Sequence, residues 1–104
     1  MDKIIQSNLY PKFIAQLQKD LYRAGIDYVI SSKEPQDLFL EITRLLMDKL
    51  HNAFNEYLNL LHAVDVSENK IKSIDSEDST DIAKYASYLI LKREWQKVWY
   101  RNRC

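Results

Sequence analysis

An all-α fold is what the sequence predicts, on three observations. Apolar residues recur at three- and four-residue spacing over long stretches. Only one glycine and two prolines punctuate the 104 residues. A single short segment, "DYVISS" (27–32), has the composition of a strand, and a lone strand has nothing to pair with, so it reads as an extended connector. A chain of this length can bury a core without disulfides or metals, and one domain spanning 1–104 is expected.

The first helix is expected over about residues 11–24. Tyr10, Phe13, Ile14, Leu17, Leu21 and Ala24 form an amphipathic stripe, and Pro11 suits the first turn, where a missing N–H does no harm. Gly25 follows at the left-handed position beyond the helix end, with Ile26 placed for the accompanying hydrophobic contact. The second helix begins near Pro35, because the residue before a proline is pushed out of the helical region. No breaker follows, so one helix over about 35–63 is predicted. Phe39, Ile42, Leu46, Leu50, Ala53, Tyr57 and Leu61 lie on its stripe, which Leu38, Leu45, Phe54, Leu58 and Leu60 widen. So broad a stripe needs more than one neighbour and makes this the central helix. A short helix near 68–73 is expected next, with Ser67 as N-cap and Val66 and Ile71 as a hydrophobic staple. The last helix, capped by Asp78 or Ser79, spans about 80–102. The expected fold is thus an all-α helical array of three main helices and a short extra one.

"NLLHAVDVSENKIKSI" and "IAKYASYLILKREWQKV" carry a resemblance at this point. The pattern over roughly residues 38–98 resembles short all-helical bacterial proteins of unknown function. The resemblance implies a helical fold and brings no activity, ligand or catalytic residue with it.

Composition excludes several classes. The longest apolar run, "YASYLIL", is far shorter than the roughly 20 residues of a membrane span. "MDKIIQSNLY" lacks the apolar core of a signal peptide, and the lone cysteine, Cys104, fits a reducing compartment; the cytoplasm is expected. Cys104 itself is assigned no role, although Arg101 and Arg103 stand beside it. His51 and His62 share a helix face about 16 Å apart, too far for one metal ion, and no cofactor or metal site is expected. Their face also carries Asp48, Asn52, Asn55 and Asn59 and reads as a solvated strip. No glycine-rich phosphate loop or nucleophile elbow is present, so the chain is not expected to be an enzyme.

Charge is balanced overall but unevenly placed. Residues 65–81 hold six acids against two lysines, and 92–104 hold five basic side chains against one Glu. On a helical projection of the last segment, Ile82, Tyr85, Ala86, Leu89 and Ile90 share one face. Leu91, Trp95, Val98 and Trp99 cluster on another, turned by more than about 100°, while Arg93, Gln96 and Tyr100 continue the first. Three covers for the tryptophans suggest themselves. Ile4 and Ile5 of the N-terminal segment could fold over them, or a second subunit could. Alternatively, they form stacking platforms for nucleic acid, flanked by Lys92, Arg93, Lys97, Arg101 and Arg103. Self-association as a homodimer through Leu91, Trp95, Val98 and Trp99 is the favoured expectation, with nucleic-acid binding as the alternative. The predicted function is a small non-catalytic protein acting by protein–protein association.

Overall fold

A computed structural model of the chain describes residues 9–32, 34–74 and 76–102. Among these residues there are five helices and no strand. They are α1 (Tyr10–Arg23), α2 (Pro35–Asn52), α3 (Phe54–Val64), α4 (Glu68–Lys72) and α5 (Ser79–Arg101).

α1 ends as its sequence dictates. Gly25 adopts φ 83°, its N–H donates to the Tyr22 carbonyl at 3.0 Å, and Ile26 N–H donates to the Leu21 carbonyl at 3.0 Å. This is the paired-bond Schellman end, with the buried Leu21 and Ile26 supplying its hydrophobic contact. The chain repeats the device after α3 without a glycine. Asp65 takes φ 73°, and Val66 N–H reaches back to the Leu61 carbonyl at 2.9 Å.

The connector between α1 and α2 resolves the problem of the unpaired strand through side chains. Gln18 of α1 donates its amide to the Tyr28 carbonyl at 2.5 Å and accepts from Ile30 N–H at 2.9 Å. From the other side, Glu41 of α2 accepts from the Tyr28 hydroxyl at 2.6 Å, the Ser31 and Ser32 N–H groups at 2.8 Å each, and Ser31 Oγ at 2.9 Å. Two side chains thus take the place of a neighbouring strand, as backbone polar groups require partners.

The predicted helix over 35–63 is two helices. Ala53 lies between them at φ −154°, ψ 62°; its N–H closes α2 on the Lys49 carbonyl and its own carbonyl opens α3 by accepting from Glu56 N–H, both at 2.9 Å. Asn52 and Asn55 flank the break, and asparagine competes with helical bonding through its side chain. The Lys49–Glu56 ion pair, 2.8 Å, spans it. The break lets one wide stripe serve two neighbours: α2 packs chiefly along α5, whereas α3 lies on α1. A straight helix of that length would run about 43 Å, roughly twice the length of α1.

α2 is central, and α5 shares the centre, packing on each of the other four helices. Ala83, Ala86 and Ser87 are buried where α5 meets α2, and Ser87 Oγ reaches the Phe39 carbonyl at 3.5 Å. Small side chains there allow the close approach. α5 is capped by Asp78, whose carboxylate accepts from Thr80 N–H at 2.8 Å. Ser67 precedes α4 in extended conformation, but its hydroxyl makes no cap bond; the staple contact is carried by buried Ile71 and by Val66 packed against the core.

The expected rotation of the apolar face along α5 is corrected by the structure. Its buried residues are Ala83, Ala86, Ser87, Ile90, Leu91, Glu94 and Val98, a single stripe at helical spacing. The stripe looked broken in sequence because one of its members, Glu94, is charged. α5 does change neighbours, resting on α2 first and on α1 and α3 later, but all of them belong to the same chain.

Candidate functional site

Flanking that stripe, α5 carries a row of aromatic side chains. Tyr88, Lys92, Trp95 and Trp99 follow one another at steps of four, three and four residues, so they share one face. Tyr88 is 52% exposed and Trp99 43%, while Trp95 is half-buried against the edge of the core. The rings of Trp95 and Trp99 lie 5.8 Å apart, Lys92 Nζ sits 5.9 Å from the Tyr88 ring centre, and Tyr85 stacks on Tyr88 at 6.5 Å. From Tyr85 to Trp99 the row is about 21 Å long.

Leu91 and Val98, grouped with the tryptophans in the sequence-based association surface, are buried within the chain. Trp95 is shared between the core edge and the surface, and Trp99 lies outside. The basic residues point in several directions. Arg93 pairs with Asp65 at 3.2 Å, Arg101 donates to the Gln16 side-chain carbonyl, and Lys97 is drawn inward; Lys92 stays on the aromatic face. Arg103, Cys104, Ile4 and Ile5 lie outside the described residues.

Beneath the second half of α5 is a buried charged cluster that the sequence did not announce. Asp20 of α1 and Glu94 of α5 are both fully buried. Lys97 Nζ stands 2.8 Å from Asp20 Oδ2 and 3.1 Å from Glu94 Oε1, and also donates to the Ala63 carbonyl at 3.1 Å. Asp20 further accepts from Gln16 at 3.2 Å and pairs with Arg23 at 3.2 Å. Burial alone raises the Asp20 carboxyl, but hydrogen bonds from Glu94, Lys97 and Gln16 outweigh it and hold Asp20 below its ordinary value. Glu94 goes the other way. Burial, then the neighbouring Asp20, pushes it up to about 8, with Lys97 opposing. Counted as a carboxylate, neither of its oxygens has a hydrogen-bond partner of acceptable geometry. Counted as an acid, it can donate to Asp20.

No protein-family model, characterised protein or solved structure matches this chain.

The other polar sites are structural in geometry. Burial raises the Glu41 carboxyl, yet the bonds from Ser32, Tyr28 and Ser31 overcome this and hold it at about 2. It lines an open groove of about 570 Å³ with Asp37, Arg44 and Asp48, but both of its oxygens are already occupied by connector donors. His51 contacts Ser79 Oγ at 3.1 Å, and His62 is exposed on α3. Asn52 bonds Asp48 at 2.9 Å, and Asn59 lies 3.4 Å from the Ala24 carbonyl. Among the described residues no group of three His, Cys, Asp or Glu side chains could hold a metal ion, and no helix is long and apolar enough to cross a membrane.

Proposed function

We propose that this is a small non-catalytic cytoplasmic protein that acts by protein–protein association, and that its partner is a second copy of the chain docked on the outer face of α5. The observation that carries this reading is the aromatic row on the outer side of α5, with Tyr88 and Trp99 exposed and Trp95 half-buried, on a helix whose other face is already buried. Rigid aromatic side chains lose little entropy on burial and are favoured interface anchors. A second copy suits the charge pattern as well. Two α5 helices laid antiparallel oppose their macrodipoles, the acidic start of each lying beside the C-terminal end of the other. Nucleic-acid binding has weaker support, because Arg93, Lys97 and Arg101 each have a partner within the chain and do not converge on the tryptophans.

Sedimentation velocity over a concentration series tests the proposal. The wild-type protein is expected to gain mass between low-micromolar and high-micromolar concentration. Trp99→Glu, a change at a side chain outside the core, is expected to remain monomeric with its helical circular dichroism intact. A wild-type protein monomeric throughout overturns the dimer. Oligonucleotide binding that weakens steeply with salt and disappears in Lys92→Gln would instead identify the aromatic face as a nucleic-acid platform.

A further inference from the structure

We propose that the seat of the second half of α5 on α1 is a proton-operated latch, closed while Asp20 and Glu94 share one proton and loosened when that proton leaves. The inference is independent of the association surface and rests on the inner face of the same helix. Asp20 and Glu94 are both fully buried, yet their partners are unequally divided. Asp20 receives Gln16, Arg23 and Lys97; Glu94, counted as a carboxylate, has Lys97 alone beside it, at 3.1 Å from Oε1, and neither of its oxygens accepts a well-formed hydrogen bond. A buried carboxylate in that position lacks the donors that would compensate its lost hydration. A protonated Glu94 solves this by donating to Asp20, which is already the better-satisfied anion. Two carboxyl groups at one buried site cannot both ionise freely.

The groups facing Glu94 come from each element packed there. α1 brings Asp20, with Arg23 on its Oδ1 and Gln16 held in place by Arg101. α5 itself brings Lys97, and α3 contributes the Ala63 carbonyl that accepts from Lys97. Among the described residues, Asp20 and Lys97 are the charged groups acting on Glu94. Lys97 therefore ties α1, α3 and α5 together, and a second negative charge would compete with Asp20 for it. Among the described residues, the exposed Lys12–Asn102 bond, 2.7 Å, and the Arg101–Gln16 contact also join α1 to the end of α5.

The sign follows from the two states. When the helix end is open to water, Glu94 titrates in the ordinary range near 4.5; closed, it is held at about 8. Between these values the closed form binds one more proton than the open form. Closure therefore weakens as pH rises through that window and levels off above it. The closed-to-open ratio falls by up to about tenfold for each pH unit within it.

Amide hydrogen exchange of α5, corrected for its intrinsic pH dependence, tests the latch on the full-length protein at micromolar concentration. Amides of the second half of α5, around residues 94–101, are expected to lose protection progressively from about pH 5 to about pH 8 and to level off above, while those of α2 do not. Glu94→Gln, neutral at every pH, is expected to abolish that dependence. Carboxyl-carbon NMR of glutamate-labelled wild-type protein gives a second readout that needs no variant. It should find one Glu titrating far above the others. A wild-type protein with no glutamate titrating above the ordinary range, or a pH dependence that survives Glu94→Gln, overturns the proposal.

Discussion

Replacing Glu41 by Gln removes the charge that holds the connector between α1 and α2. The wild-type carboxylate accepts four hydrogen bonds from residues 28–32 at 2.6–2.9 Å. Holding it at about 2 instead of its ordinary 4.5 corresponds to at most roughly 3 kcal/mol of stability at neutral pH, and to less once water screens this partly exposed site. Glutamine keeps one acceptor oxygen, so part of the network survives, and the expected loss is about 1–2 kcal/mol. Because the folded-state value is depressed, the contribution is fully present above about 4.5 and is lost as pH falls towards 2. Urea unfolding followed by circular dichroism, at neutral pH and at several points below pH 5, measures both effects. The gap between wild type and variant should be widest at neutral pH and close on acidification. A variant within about 0.5 kcal/mol of wild type at pH 7, or a gap that persists unchanged to pH 2, would refute the clamp.

Leu46 is fully buried on α2, and Leu46→Ala should lower unfolding free energy by about 3–5 kcal/mol, whereas Asn55→Ala on the exposed face of α3 should change it by less than about 0.5. A large effect at Asn55 would reveal a tertiary role for the region of the break. Gly25→Ala should destabilise by about 1–2 kcal/mol, wholly through its backbone, since an added Cβ meets nothing within 4 Å at φ 83°. Asp65→Gly, at the equivalent left-handed position after α3, should go the opposite way and stabilise by up to about 1 kcal/mol, because the Arg93–Asp65 pair that it removes is largely solvent-exposed. Thermal melts of these two variants should move in opposite directions; a common direction would contradict the assignment of matching helix ends.

Where a feature depended on neighbours in the chain, the residues themselves announced it. The end of α1 was legible because Gly25 is the one glycine and stands just past an amphipathic stripe; the start of α2 was legible because Pro35 excludes a helical residue before it. The same local chemistry narrowed the cap of α5 to Asp78 or Ser79, and the structure gives it to Asp78. The break at Ala53 was not legible. Asparagine weakens a helix by only a fraction of a kcal/mol, too little to decide a break against a strong apolar period. Packing of α2 on α5 and of α3 on α1 decides it.

Glu94 makes the division between sequence and structure clearest. By itself the sequence determined that 79–101 would be helical and where it would start, since propensity, periodicity and capping act over one or two turns. It also placed the tryptophans on one side of that helix. It could not determine that Glu94 belongs to the buried stripe, because a charged side chain counts as polar until its partners are known. Lys97 stands one turn away in the sequence, but Asp20, which shares it, is 77 residues distant. Only the docking of α5 on α1 brings the two carboxyls and the ammonium together, and a buried charge is tolerable only where such partners converge.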